Sequence, residues 1–265
     1  MKFVNKSLYK LERKNNLKNF ILFSLIVGVL CFATIALFPM LKEVLNELAQ
    51  ESFGTVFEDM FRMDNIADYF TANMYQIWGL LGLIYASVLA VKLTSGNFKD
   101  GSYEMIYSLN ISRAKIVSTK LVRLILNTTY FTIVVALFNF VALVVFAGFS
   151  GFSALNFLAY TLVMWLITLI MGVLSFALGL FSKHKFNTLS AVVLAMVFYI
   201  IVTLAEASMT DWIGYLSPLT IVASNVLGLG FNALKQNWFI LVGFSAISVL
   251  MLTFSVIKFK NDDLC

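Results

Sequence analysis

Residues with catalytic potential are few in this sequence, and they lie far apart. Residues 148–151 form a G-x-S-G motif, a spacing at which some proteases place a nucleophilic serine, here Ser150. Such a serine needs a base within hydrogen-bond reach. The single histidine, His184, is separated from Ser150 by a long apolar run. The motif is therefore interpreted as a short turn, in which Gly and Ser are common, and an intramembrane protease is only a minor alternative.

Metal and nucleotide chemistry find no support in the residue pattern. Cys31 lies in an apolar run and Cys265 is the last residue, so the two cysteines predict no metal cluster and no disulfide framework. The phosphate-binding pattern G-x-x-x-x-G-K-[ST] is absent from the sequence. We expect no catalytic residue, no metal site and no cofactor on this chain, and therefore no enzymatic activity of its own.

The polar segment 92–123 carries the most specific pattern. Asp100 can cap a helix of about two turns over residues 101–109, with Glu104 favoured in its first turn. Ser112 can cap a second helix that continues into the next apolar run. A short amphipathic helix between two apolar runs is typical of a docking element for a partner protein.

The composition defines the surroundings of that segment. Of the 265 residues, 60% are hydrophobic and 12% are charged, whereas soluble domains carry about 25% charged residues. A soluble fold would have too little polar surface, so the chain is predicted to be an all-α integral membrane protein. Its six apolar runs, each long enough for a transmembrane helix, are 20–38, 74–91, 124–149, 157–181, 188–205 and 239–257.

The basic residues predict the orientation of the six spans. Alternate polar segments together carry sixteen Lys and Arg on one side of the membrane and three on the other. The side rich in Lys and Arg is expected to be cytoplasmic, which places both termini on the cytoplasmic side of the cell membrane. Trp78, Trp212 and Trp238 are expected near the outer boundary. The net charge of +5 is thus interpreted as a topology signal and not as nucleic-acid binding.

Three segments outside the spans have patterns of their own. Residues 1–18 place lysines on one helical face, which predicts an amphipathic helix on the inner membrane surface. Residues 40–73 predict a small outer cap. Glycines and Pro218 interrupt residues 206–238, which predicts two short helices that form an outer re-entrant hairpin before the last span. A seventh span over 213–234 is the alternative.

Polar and small residues inside the spans indicate helix packing more than transport chemistry. Asn139 lies near the middle of the third span, where it either lines a pathway or holds helices together, and we favour the second role. Small residues at helical spacing in the second and fourth spans allow close helix approach; examples are Gly82, Ala86, Gly172 and Gly179. The spans contain no paired carboxylates, which disfavours an ion-driven carrier.

The polar segment 92–123 resembles the coupling-helix region of ABC-2 type transporter permeases. The family pattern reads approximately D-G-x-x-E-x-x-x-x-x-P-[IV]-S-R-x-x-I-x-x-x-K, and Asn110 stands where the family usually has proline. The end of the chain, residues 259–264, is similar to the basic-acidic ending of the family. The matching residues of the coupling region are Asp100, Gly101, Glu104, Ile111, Ser112, Arg113, Ile116 and Lys120.

The resemblance implies the permease subunit of an ATP-driven exporter. Such a permease pairs with a second permease, identical or different, and two separate ATPase subunits bind ATP and Mg²⁺. The uncharged spans favour an apolar or amphipathic cargo such as a peptide, a lipid or a drug. An ATP-independent channel or secondary carrier is the alternative. The residues implied in ATPase docking are Asp100, Gly101, Glu104, Tyr107, Ser112 and Arg113.

Overall fold

A computed structural model describes residues 4–48, 66–96, 111–148, 152–182, 185–208, 211–223, 227 and 230–261. Within these ranges the chain forms helices and no strands, as the all-α prediction requires. The helices are α1 (Lys6–Ala36), α2 (Phe38–Leu48), α3 (Ile66–Met74), α4 (Leu80–Leu93), α5 (Arg113–Ala147), α6 (Ala154–Ser182), α7 (Thr188–Ser208), α8 (Asp211–Gly214), α9 (Thr220–Ala223) and α10 (Phe231–Asn261).

Six of these helical stretches are long and apolar enough to cross a membrane, which confirms the predicted number of spans. The second stretch, Ile66–Leu93, is α3 and α4 joined by a π-helical turn over Tyr75–Gly79. Most helices extend beyond the predicted spans, because hydropathy marks only the apolar part while backbone hydrogen bonding continues into polar turns. The longest extension is at α1, which begins at Lys6, and α5 also begins early, at Arg113.

The second and fourth spans form the centre of the bundle. Their most apolar windows are 67% and 61% buried, compared with 17% for α7 and for α10. Small residues face each other here, since a Cβ added at Gly172 would lie 3.4 Å from Ala86, and one at Gly82 would lie 3.3 Å from Thr168. The predicted packing of small residues between these spans is therefore confirmed.

The N-terminal segment differs from its prediction. Residues 6–36 form one continuous helix, so the structure shows no separate interfacial helix before the first span. The sequence offers no strong reason for a break, because no Gly or Pro lies between Asn5 and Gly28. The basic face is exposed as expected at Lys10, but the opposite face is not uniformly apolar, since Glu12 is buried in the bundle.

The segment before the last span forms two short helices, α8 and α9, as predicted, and α10 then begins at Phe231. Each short helix has four residues, so the described part of 213–234 contains no seventh span. The segment packs into the bundle: Ser217 is buried and donates to the Phe198 carbonyl at 2.8 Å. Whether it enters the outer leaflet stays a prediction.

The structure differs in part from the predicted outer cap and from the predicted aromatic belt. Residues 66–73 of the expected cap belong to the helix of the second span, while α2 forms the beginning of the cap. Trp212 and Trp238 are exposed, as an aromatic belt requires, but Trp78 is fully buried. Trp78 lies within the π turn and faces the bundle, where its ring centre is 5.8 Å from that of Tyr160.

Candidate functional site at the basic end of the bundle

Hydrogen bonds show that the first residues of α1 and α5, the last residues of α4 and α10 and the start of α7 lie together. We call this region the basic end. It contains the two anchors of the segment that resembles a coupling helix. Of the residues implied in docking, Ser112 and Arg113 lie here, whereas the others lie in residues 97–110, outside the described ranges; these are Asp100, Gly101, Glu104 and Tyr107.

The anchor after the segment is the start of α5. Ser112 has an extended backbone at φ −61° and ψ 141°, and its carbonyl accepts from the N–H groups of Lys115 and Ile116. It therefore occupies the predicted cap position, but its hydroxyl makes no capping bond. The guanidinium of Arg113 donates to the Phe259 carbonyl at 3.3 Å. This bond connects the start of α5 to the end of α10.

The anchor before the segment is the end of α4. The Ser95 hydroxyl is buried and donates to the Phe186 carbonyl at 2.6 Å, just before α7 begins. The Lys120 ammonium of α5 donates to the Leu93 carbonyl at 2.7 Å. Because the C-terminal carbonyls of a helix lack intrahelical partners and carry partial negative charge, a lysine stabilises this end.

A buried ion pair lies beside this anchor. Lys120 is 3.3 Å from the Glu12 carboxylate of α1, and both side chains are at most 7% exposed. Asn16 donates to the Glu12 carbonyl at 2.9 Å. Burial of a charge is costly unless it is paired and hydrogen-bonded, and here each charge compensates the other. The pair holds α1, α4 and α5 in one arrangement.

The beginning of α1 completes the basic end. Asn5 caps α1 by accepting from the Leu8 N–H at 3.0 Å, and its own N–H donates to the Thr119 hydroxyl at 3.0 Å. The buried guanidinium of Arg123 lies 5.6 Å from the ring centre of Tyr9, a cation–π distance. These contacts fix the first turns of α1 along the side of α5.

Asn139 lies in the middle of the bundle and not at the basic end. It is fully buried, and its amide donates to the Val135 carbonyl of its own helix at 3.0 Å. The thiol of Cys31 in α1 lies against the same side chain. These contacts join α1 and α5, and helix packing stays the role that the sequence favours over pathway lining. The Ser150 and His184 of the protease alternative lie outside the described residues.

Sequence reasoning missed the partner of Lys120. Lys120 matches the family pattern, whereas no sequence motif marks Glu12 or Arg123 as a buried residue. A signal existed, because Glu12 is the one acidic residue among the six basic residues of positions 1–18. A lone acid in a basic helix that continues into an apolar span has few ways to be solvated and needs a cation from a neighbouring helix.

Comparison with known families defines what this bundle is. The family described as "Multidrug efflux system permease Rv1217c, C-terminal domain" matches residues 14–260. The chain belongs to this permease family. The match covers all six membrane-spanning stretches and most of the basic end, including Lys120 and Arg113. A search of curated proteins found no match to the permease. The permease is thus a multi-pass membrane transport protein.

Proposed function

We propose that the permease is the membrane-spanning subunit of an ATP-driven exporter of the ABC-2 type. It would work with a second permease, identical or different, and with two ATPase subunits that carry ATP and Mg²⁺. The basic end would face the cytoplasm, where residues 92–123 contact the ATPase. The cargo would be apolar or amphipathic and would leave toward the opposite end of the bundle.

The observation that carries this proposal is the anchoring of residues 97–110 at both ends. Ser95 bonds to the start of α7, and Lys120 bonds to the last turn of α4. On the other side of the segment, Arg113 bonds to the end of α10. A displacement of the segment would therefore reach α4 and α5 through the chain, and α10 and the residue before α7 through hydrogen bonds to backbone carbonyls.

This arrangement suits a two-state mechanism. ATP binding on the partner would favour one position of the coupling segment, and its anchors would bias the packing of α4 and α5 against α7 and α10. In this proposal Asp100, Gly101, Glu104 and Tyr107 contact the ATPase. Ser112 and Arg113 transmit the movement, since they begin α5 directly after the segment.

The cargo class rests on the spans themselves. The described part of each span has an apolar surface, with exposed Leu, Val, Ile and Phe on α1, α5, α7 and α10. Among the described residues, the buried charged side chains Glu12, Lys120 and Arg123 lie at the basic end and are engaged there. The description of the family, a multidrug efflux permease, supports an apolar or amphipathic cargo as well.

Co-purification tests the proposal. A tagged permease, solubilised in mild detergent from its native cells, should carry an ATPase with a phosphate-binding loop in about equal amount. The reconstituted complex should move an apolar dye only with ATP. Transport by the permease alone, driven by an ion gradient or by the dye gradient without ATP, would instead establish the alternative of a carrier or channel.

A further inference from the structure

A groove between α1 and α4 has a polar end and an apolar length. Its volume is about 210 Å³. Asn16, Asn19 and Lys92 line the part nearest the basic end. Toward the middle of the bundle the lining is apolar, with Phe20, Phe23 and Ile26 on α1 and Ile84, Val88 and Leu89 on α4. The order follows from the antiparallel helices, since Asn16 begins the lining of α1 and Lys92 ends that of α4.

The polar part of the groove contains buried groups whose capacity for hydrogen bonds is not used. Among the described residues, the side-chain amide oxygen of Asn16, the Tyr85 hydroxyl and the Arg123 Nε have no hydrogen-bond partner. Asn16 is 2% and Arg123 is 3% exposed. Tyr85 lines the groove, whereas Arg123 does not. Buried polar atoms are nearly always bonded in proteins, so the Tyr85 hydroxyl lacks an acceptor that a ligand oxygen would supply.

The charge around this groove is positive. Lys92, which lines the groove, is exposed. The Glu12 carboxylate beside Asn16 is already paired with Lys120. An anionic head group would therefore meet the Lys92 ammonium, whereas a cationic group would meet repulsion.

The groove is open sideways toward the bilayer. Leu22 and Ile26, which line it, are 59% and 48% exposed on the lipid-facing side of α1. A ligand with its head at the basic end and an acyl chain along Phe20 and Ile26 would keep the orientation of a lipid in a leaflet. Basic pockets between transmembrane helices are known to bind anionic head groups.

We infer that this groove is a binding site for an anionic phospholipid of the surrounding bilayer. The phosphate lies at Lys92 and Asn19, and one acyl chain lies between α1 and α4. The inference does not depend on the exporter proposal, because binding is measured without ATPase, ATP or cargo.

The test uses the full permease in phosphatidylcholine vesicles that contain traces of photoreactive phosphatidylglycerol or photoreactive phosphatidylcholine, with the reactive group in the acyl chain. Peptide mapping should locate the phosphatidylglycerol label on residues that line the groove. Lys92→Gln should lower this labelling about tenfold, because it removes a charge-assisted hydrogen bond. Lys18→Gln, an exposed charge on α1 that does not line the groove, should leave the labelling unchanged.

A second variant fills the groove without changing its charge. Val88→Trp should remove the groove label while the variant keeps the elution volume of the parent protein. Equal labelling by the two lipids in the parent, or unchanged labelling in Lys92→Gln, would overturn the inference. Displacement of the label by an alkyl phosphate but not by excess phosphatidylglycerol would also overturn it, since the occupant would then be a free amphiphile.

Discussion

The two ends of the bundle are held together by different interactions. At the basic end, side chains from one helix donate to backbone carbonyls at the ends of others, as Lys120 does to Leu93 and Arg113 to Phe259. At the opposite end, aromatic rings pack against each other, with Phe70 at 5.0 Å from Tyr160. Side-chain hydrogen bonds also occur there: Tyr69 donates to the Thr34 carbonyl and Tyr75 to Glu206.

This difference suggests different tasks. Directed bonds to helix ends have a defined geometry, so they can transmit a displacement from one helix to another. Apolar packing is non-directional, and rings can shift against each other without leaving a polar group unpaired. We therefore expect the basic end to move as a unit and the opposite end to repack when a pathway opens.

The largest effect is expected in cysteine labelling, which reports the side of the membrane that each end of the bundle faces. Such labelling is all-or-none. A membrane-impermeant maleimide on intact cells should label Lys235→Cys and should not label Lys115→Cys or Lys185→Cys. The native Cys265 should also be protected. The reason is the distribution of sixteen against three basic residues. Labelling of Cys265 from outside would reverse or remove the assignment of the basic end to the cytoplasm.

Breaking the buried ion pair should cost the most stability. Lys120→Met leaves Glu12 buried without its cation, which should cost about 3–5 kcal/mol in unfolding free energy. The double variant Glu12→Leu and Lys120→Met should recover much of this loss, because no unpaired charge remains. Denaturation of the detergent-solubilised protein measures both, with the exposed Lys10→Met as control. A single variant as stable as the parent would show that the pair is not a support of the basic end.

A smaller effect is expected from the bond of Tyr69 at the opposite end. Tyr69→Phe removes the donor to the Thr34 carbonyl, 3.0 Å away, and should cost about 1 kcal/mol. The same denaturation experiment measures it. A loss as large as that of Lys120→Met would contradict the view that polar contacts contribute less at this end.

The smallest effect is predicted for Tyr160→Phe. The Tyr160 hydroxyl is fully buried and has no hydrogen-bond partner among the described residues, so its removal should change stability by less than about 0.5 kcal/mol or increase it. The ring contacts with Phe70 and Trp78 remain in this variant. A clear loss of stability would reveal that the hydroxyl is bonded after all.

The sequence predicted the spans well because apolar length is a direct consequence of bilayer thickness. The start of α5 after Ser112 was also predictable, since a serine directly before a helical pattern is a strong signal of a helix N-terminus. The pairing of Glu12 with Lys120 was not, because it depends on which helices neighbour each other. The burial of Trp78 was not predictable either, because this residue lies within a π turn, which changes the face of the helix that it occupies.

The central claim is that residues 97–110 connect this permease to an ATPase, and one pair of variants tests it most directly. Glu104→Lys should weaken ATPase binding by about 30-fold or more, because it reverses a charge that the docking contact desolvates. Lys99→Ala, a nearby charge outside the family pattern, should bind as the parent does. Both variants are compared by ATPase co-purification and by cargo-stimulated ATP hydrolysis, at equal membrane abundance. The account predicts that binding and stimulation are lost in Glu104→Lys alone; normal values of both in Glu104→Lys would contradict it.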